Sequence, residues 1–198
     1  MAVFLGVTLL VYLLGSIPFG LVVSRALGGQ DPRNFGSGNL GAANLYRLLG
    51  IKAAALTFLG DALKGTLPVL LACFLLPPPA PWREAAVAAA GGAAVLGHVF
   101  PLYLKFKGGK GVATAFGVVA ALAPWAALTL VLVYALALAK TRIFSASALI
   151  CAWLLPVAMG LFSDSKAYLL LAGFLSGLVL FCHRENLERL FKGEEPRL

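Results

Sequence analysis

Apolar residues run in long stretches along this chain, at 2–24, 52–76, 84–104, 112–139, 143–161 and 166–183. Between them lie short segments that hold most of the charge, glycine and asparagine. A bilayer core of about 30 Å takes about 20 apolar residues of helix, so five of these stretches read as one transmembrane helix each. The stretch 112–139 does not, because it is 28 residues long and carries Pro124 with Trp125 beside it. Proline removes a backbone donor and crowds the preceding turn, which predicts a break. Cut there, the piece 112–123 covers only about 18 Å at 1.5 Å per residue, short for a full crossing.

Basic residues decide between one crossing and two, since Lys and Arg accumulate in cytoplasmic loops. None precedes the first stretch, and Arg25 and Arg33 follow it. The N-terminus is therefore read as outside, residues 25–52 as inside and the Pro77–Pro81 turn as outside, with Lys105, Lys107 and Lys110 inside again. If 112–139 goes out and returns, then Lys140, Arg142, Arg184, Arg189, Lys192 and Arg197 all stay inside. Of the 16 basic residues, only Arg83 and Lys166 then face outward. The expected architecture is an all-α integral membrane protein, a single polytopic domain over 1–198. It has seven transmembrane helical segments, N-terminus outside and C-terminus cytoplasmic, with 112–123 short or re-entrant. Pro81-Trp82 and Pro124-Trp125 mark two outer turns, with the indoles at the interface.

Composition agrees. Hydrophobic residues make up 61 % of the 198, charged residues 12 %, and mean hydropathy is +0.92. Soluble domains run at roughly 45–50 % apolar and about 25 % charged, so a soluble enzyme and a disordered segment are both excluded. The net charge of +8 in so apolar a chain points to an anionic membrane face or anionic substrates before nucleic acid. Cys73, Cys151 and Cys182 stand alone inside apolar runs, which reads as packing, not zinc or disulfide chemistry. The first apolar run has neither a basic leader nor a small-residue cleavage site, and is read as a retained helix.

Three polar segments then fall on the cytoplasmic side. The first, Asn34 to Arg47, has glycines at 36, 38 and 41, with Ser37, Asn39 and Asn44 as neutral hydrogen-bonding groups. A helix starting near Asn39 would offer free N–H groups to an anion; the same residues also suit a plain turn with Ser37 or Asn39 as N-cap. The second, Lys105-Phe106-Lys107-Gly108-Gly109-Lys110-Gly111, interleaves lysine and glycine ahead of a helix that carries Thr114. That is a phosphate cradle or a set of basic lipid anchors. It is not a Walker A sequence, because Gly111 stands where Ser or Thr would follow the lysine. The third, Cys182 to Glu195, places His183 and Asn186 on one face of an emerging helix, unless it is simply a solvated helix end.

Within the apolar stretches, His98 is an ionisable group near an inner helix end. Asp61 and Lys64 are three residues apart and so placed to pair. No metal-ligand motif is present. Group transfer involving a phosphorylated substrate at the inner leaflet fits these residues. A small anion transporter is the rival reading, weakened because the polar groups gather at one face instead of the midplane and no internal repeat is evident.

Five motifs in order resemble the bacterial acyl-phosphate:glycerol-3-phosphate acyltransferase (PlsY-like) family. They are GSIPFG (15–20), GSGNLGAANLYR (36–47), GDALKGTLP (60–68), GHVFPLYLKFKGGKGVATAFG (97–117) and HRENLERLFKGEE (183–195). One departure is Cys182, where many members carry Arg. The His-x4-Asp signature of other glycerol-phosphate acyltransferases is absent, since His98 is followed by Tyr103 and His183 by Glu188. The resemblance implies transfer of a fatty acyl group from acyl phosphate to the 1-hydroxyl of glycerol 3-phosphate, giving lysophosphatidic acid and phosphate.

It further implies catalytic roles for Ser37, His183 and Asn186. Substrate binding is implied for Asn39, Asn44, Arg47, Lys64 and His98, and for Lys107, Gly108, Gly109, Lys110 and Thr114. No metal and no cofactor is expected. Partners would be the two substrates and membrane lipids, with no nucleic acid and no obligate protein partner. The implied place is the bacterial cell (inner) membrane, with a cytoplasmic active site. Either a histidine or the leaving phosphate would accept the hydroxyl proton.

Overall fold

The computed structural model describes residues 2–76 and 82–198, with side chains from residue 4 onward, and the Pro77–Pro81 turn lies outside the described residues. Nine α-helices and two 3₁₀ turns, at Pro32–Asn34 and Leu102–Leu104, make up the regular structure described. The first apolar stretch is not one helix. It forms α1 (Ala2–Gly15) and α2 (Phe19–Ala26), separated at Ser16–Pro18. Pro18 supplies no N–H, and the Ser16 hydroxyl turns back to the Tyr12 carbonyl at 2.8 Å.

α3 (Ala42–Leu75) has a break at Gly50, whose φ of 79° and ψ of −169° leave the helical region, so a short leading helix precedes the long span. α4 (Arg83–Val99) ends ahead of Pro101, five residues before the apolar stretch that encodes it. α5 (Val112–Leu122) and α6 (Pro124–Thr141) are separate helices joined at Ala123, with Pro124 opening α6 where its missing N–H costs nothing. α7 (Phe144–Phe162) and α8 (Lys166–Cys182) follow, and α9 (Arg184–Lys192) leaves α8 at 59°.

Among the described residues, five helical stretches are long and apolar enough to cross a bilayer, or six if α8 and α9 count together. The sequence pattern gave seven segments. The difference comes from α5, with 11 residues, and α8, with 17, both under a full crossing of about 20.

α4 runs through the middle of the bundle, and 72 % of its span is buried. Its alanine and glycine surface lets neighbouring backbones come close. A methyl group on Gly97 would lie 2.3 Å from the Tyr12 carbonyl oxygen, and one on Gly15 would lie 2.3 Å from that of Ala94. α1 and α4 therefore touch backbone to backbone. α3 and α5 meet the same way, at Gly65 against the Thr114 carbonyl and Gly117 against that of Ala62. Outward faces carry large apolar side chains such as Phe74, Leu136, Trp153 and Leu170, which suits a surface bathed in lipid.

Contacts sort the connections into two faces. On one, Arg83 donates to the Cys73 carbonyl at 2.8 Å, and the Ser165 hydroxyl donates to Glu84. On the other, the Leu198 amide donates to the Arg142 carbonyl at 2.7 Å, so the α6–α7 turn meets the C-terminal segment.

Candidate active site

Three walls meet at the second face around a cleft of about 250 Å³. The first is the loop before α3. Asn44 lies in the first turn of α3 and is buried; its Nδ2 donates to the carbonyls of Pro32, Phe35 and Asn39 at 2.9–3.0 Å. Its Oδ1 accepts from the Ser37 amide at 3.1 Å. One side chain thus gathers the loop. Gly36 at φ 55° sits so close to this amide that a side chain there would collide with it. Asn39 closes the loop onto α3 by accepting from the Gly41 amide at 2.8 Å. The Ser37 side chain is left exposed in the cleft wall.

The second wall is the glycine loop between α4 and α5. After Pro101 the chain reverses through Lys105 and Phe106, both at positive φ, and returns along the end of α4. Gly108 and Gly109 donate their amides to the Val99 and His98 carbonyls, each at 3.1 Å. Gly111, at φ 81°, then starts α5. Lys110 is held between the loop and the cleft.

The third wall is the α8–α9 hinge. His183 stands at the bend, buried, with its Nδ1 2.8 Å from the Val179 carbonyl, which leaves Nε2 free of that bond. One turn on, Asn186 accepts from Lys110 Nζ through Oδ1 and donates to Glu195 through Nδ2. Glu195 returns to this point because Gly193, at φ 72°, ends α9 in a left-handed turn. It also accepts from Ser145 at 2.6 Å and from Arg189 Nε at 2.7 Å.

The cleft is lined by Ser37, Asn39, Gly108, Gly109 and Lys110, with Arg184, Glu185 and Arg189 from α9. Three cations against one acid make it a site for anions. Burial holds the Lys110 ammonium below the ordinary lysine range despite the counter-charge of Glu195. Glu195 is the reverse case. Burial opposes its ionisation, but the hydrogen bonds from Ser145, Arg189 and Asn186 outweigh it and hold the carboxyl below its ordinary value. Val99, Phe100, Phe181 and Cys182 give the same cleft an apolar flank.

Several residues expected at the site lie elsewhere. Asn44 spends its hydrogen-bonding groups on the loop. Lys64 is buried in the bundle, 2.8 Å from Asp61 Oδ1 and 2.7 Å from the Ile17 carbonyl freed by the α1–α2 break. His98 and Thr114 are buried together behind the glycine loop, Nδ1 to Oγ1 at 3.1 Å. Arg47, half-buried on α3, and Lys107, exposed, do not line the cleft, and His183 and Asn186, both buried, back its third wall without lining it. Sequence reasoning assigned no site role to Arg184, Arg189, Glu195 or Ser145. The signal for Glu195 was an acid just after a glycine that stops a basic amphipathic helix.

The fold and the cleft define an all-helical membrane protein whose polar site joins an anion-binding wall to an apolar one. The chain belongs to the glycerol-3-phosphate acyltransferase family, whose model matches residues 5–193. It is 44 % identical over 186 residues to the glycerol-3-phosphate acyltransferase of Syntrophotalea carbinolica, covering 94 % of this chain and 93 % of the relative. It is 47 % identical to that of Myxococcus xanthus, covering 96 % of both. Two crystal structures of PlsY (YgiH), an integral membrane glycerol 3-phosphate acyltransferase, superpose on it at 38 % identity. Their TM-scores are 0.90 for the glycerol 3-phosphate form and 0.88 for the lysophosphatidic acid form. Each alignment covers 98 % of this chain and 95 % of the neighbour.

Proposed function

We propose that this protein transfers a fatty acyl group from acyl phosphate to the 1-hydroxyl of sn-glycerol 3-phosphate, yielding lysophosphatidic acid and inorganic phosphate. The observation that carries this reading is the cleft in which Lys110, the Gly108–Gly109 loop and Ser37 meet beside an apolar flank. Both substrates bear phosphate, and one also bears a long chain. Membership of the family and likeness to the glycerol 3-phosphate form of PlsY support the acceptor.

The proposed mechanism is direct. The acceptor hydroxyl oxygen bonds to the acyl carbonyl carbon, the carbon–oxygen bond to phosphate breaks, and the bonding pair leaves with the phosphate. The hydroxyl proton goes to that phosphate or to His183 Nε2. Acyl phosphate is a mixed anhydride with a good leaving group, so neither an acyl-enzyme nor a metal is required. Lys110, Arg184 and Arg189 hold phosphate charge, while Ser37 and Asn39 orient the donor or the carbonyl oxygen as charge develops on it. Asn186 fixes the Lys110 ammonium by accepting from it.

The same reading makes 1–198 a single polytopic domain of seven apolar segments, N-terminus outside and C-terminus inside, in the bacterial inner membrane. The cleft then opens to the cytoplasm, and α5 is the short or re-entrant segment. Phosphate release from palmitoyl phosphate by protein in detergent tests the activity. Release that requires glycerol 3-phosphate supports the enzyme. No release, together with anion uptake into vesicles, would favour transport.

A further inference from the structure

Behind the cleft, on the bundle side of the glycine loop, lies a buried polar cluster that the proposed reaction does not use. Asp61 and Lys64 come from α3, His98 from the last turn of α4 and Thr114 from the first turn of α5, and all four are buried. His98 Nδ1 is 3.1 Å from Thr114 Oγ1 and 3.4 Å from Asp61 Oδ1, and that same oxygen is 2.8 Å from Lys64 Nζ. The ring is therefore fixed from one side. Its other side faces the loop, where a methyl group built on Gly109 would lie 2.1 Å from His98 Nε2. The His98 carbonyl also accepts the Gly109 amide. Gly109 lines both the cleft and a void of about 10 Å³ beside Asp61, Lys64 and His98. It is the partition between them, one residue ahead of Lys110.

We propose that His98, hydrogen-bonded to Thr114 beside Asp61, is a positioning residue: its ring is the seat on which Gly109 rests, and it sets where the Gly108–Lys110 loop presents its lysine and amides to substrate phosphate. The functional half of this inference rests on the acyltransfer reading; the structural half does not. A lone buried ion pair would stabilise the bundle without regard to the loop. Here the imidazole has one nitrogen in the cluster and the other against the loop backbone. Thr114 stands in the first turn of α5, four residues after Lys110, so the cluster braces the loop from both of its ends.

Two measurements test it. Hydrogen–deuterium exchange of detergent-purified full-length protein reads the 106–112 segment directly, with no need for turnover. Thr114→Val, which keeps the shape and removes the hydroxyl, should raise exchange there on the order of fivefold, the worth of about one net hydrogen bond, with the helices unchanged. In the acyltransfer assay the same variant should raise KM for glycerol 3-phosphate by a similar factor at near-normal kcat, and Thr114→Ser should restore both. Gly109→Ala should be impaired by collision with His98, and adding His98→Ala should make room for the methyl group, so the double variant loses less than the two single losses combined. Unchanged exchange at 106–112 in Thr114→Val, or fully additive losses in the double variant, overturns the proposal. If Thr114→Val does not fold, the Gly109 and His98 variants decide by the same exchange readout. Wild-type protein that turns over no glycerol 3-phosphate would sink the acyltransfer reading, while the exchange comparison still judges the seat.

Discussion

Lys110 and Asn186 meet across 76 residues of sequence, the ammonium donating to the amide oxygen, and this contact ties the glycine loop to the α8–α9 hinge. Each partner reaches the other from a different wall of the cleft. The lysine is thus aimed as well as charged.

Asn186→Ala should consequently cost more than one lost hydrogen bond. A bond to a charged group is worth about 1.5–3 kcal/mol, so kcat/KM should fall at least about tenfold, and Lys110→Ala should fall further. The double variant should be no worse than Lys110→Ala alone. Steady-state kinetics on the three variants checks this, and independent additive losses would refute the coupling.

Ser37→Ala and His183→Ala should each reduce turnover strongly, by about 100-fold or more if they act on the reacting groups. Both should still insert in the membrane, since neither side chain makes a hydrogen bond from one helix to another. Membrane abundance beside phosphate release separates the two effects. Near-normal rates in both variants would discard this placement of the chemistry.

Asn44→Ala removes the side chain that gathers the first wall. It leaves the buried Pro32 carbonyl and three part-buried backbone groups without that partner, at about 1–3 kcal/mol for a fully buried group. Loss of thermal stability together with activity is expected, unlike Ser37→Ala. Melting curves in detergent distinguish the two, and an unshifted midpoint would count against the hub role of Asn44.

Glu195 gives a pH dependence of defined sign. Its folded pKa is held below the ordinary 4.5, so ionised Glu195 stabilises the folded state fully above that value. The contribution declines as pH falls through the ordinary value toward the folded one, where the carboxylate takes up a proton. Glu195→Gln should therefore be less stable than wild type at neutral pH, with the gap narrowing below about pH 4. A constant gap across that range would remove Glu195 as the organiser of Ser145, Asn186 and Arg189.

Reporter fusions test the orientation. Fusions at residue 141 and after the last residue should report the same side, because the α6–α7 turn and the C-terminal segment touch, and the proposed topology makes that side the cytoplasm. A reporter active on the outer face at either point would contradict the proposed topology.

The run lengths in the sequence were enough to place α3, α4, α6, α7 and α8, and Pro124 was enough to separate α5 from α6. The break at Ser16–Pro18 was harder to see, because the run stays apolar on both sides of it. Its proline lies near the end of the run, where a helix could equally have started. At the candidate site, Ser37, Asn39 and Lys110 were legible because polar residues among glycines have few other uses in so apolar a chain. Asn44, Lys64 and Thr114 carry the same polar chemistry inward, and a side chain's direction is set by packing that spacing cannot reveal. Glu195 was obscured for the opposite reason. Beside Glu194, close to the chain end, it looks like a solvated acid until the turn at Gly193 brings it back.

The mutual glycine contacts of α1 with α4 and of α3 with α5 carry a warning for mutagenesis. At Gly15, Gly65, Gly97 and Gly117 the obstacle is a carbonyl oxygen of the facing helix, which cannot rotate aside as a side chain would. An alanine scan, normally the mildest of probes, becomes its most disruptive at these four sites. It would score them as loss of function with the same signature as residues that handle substrate, and only the quantity of protein recovered from the membrane would tell the two groups apart.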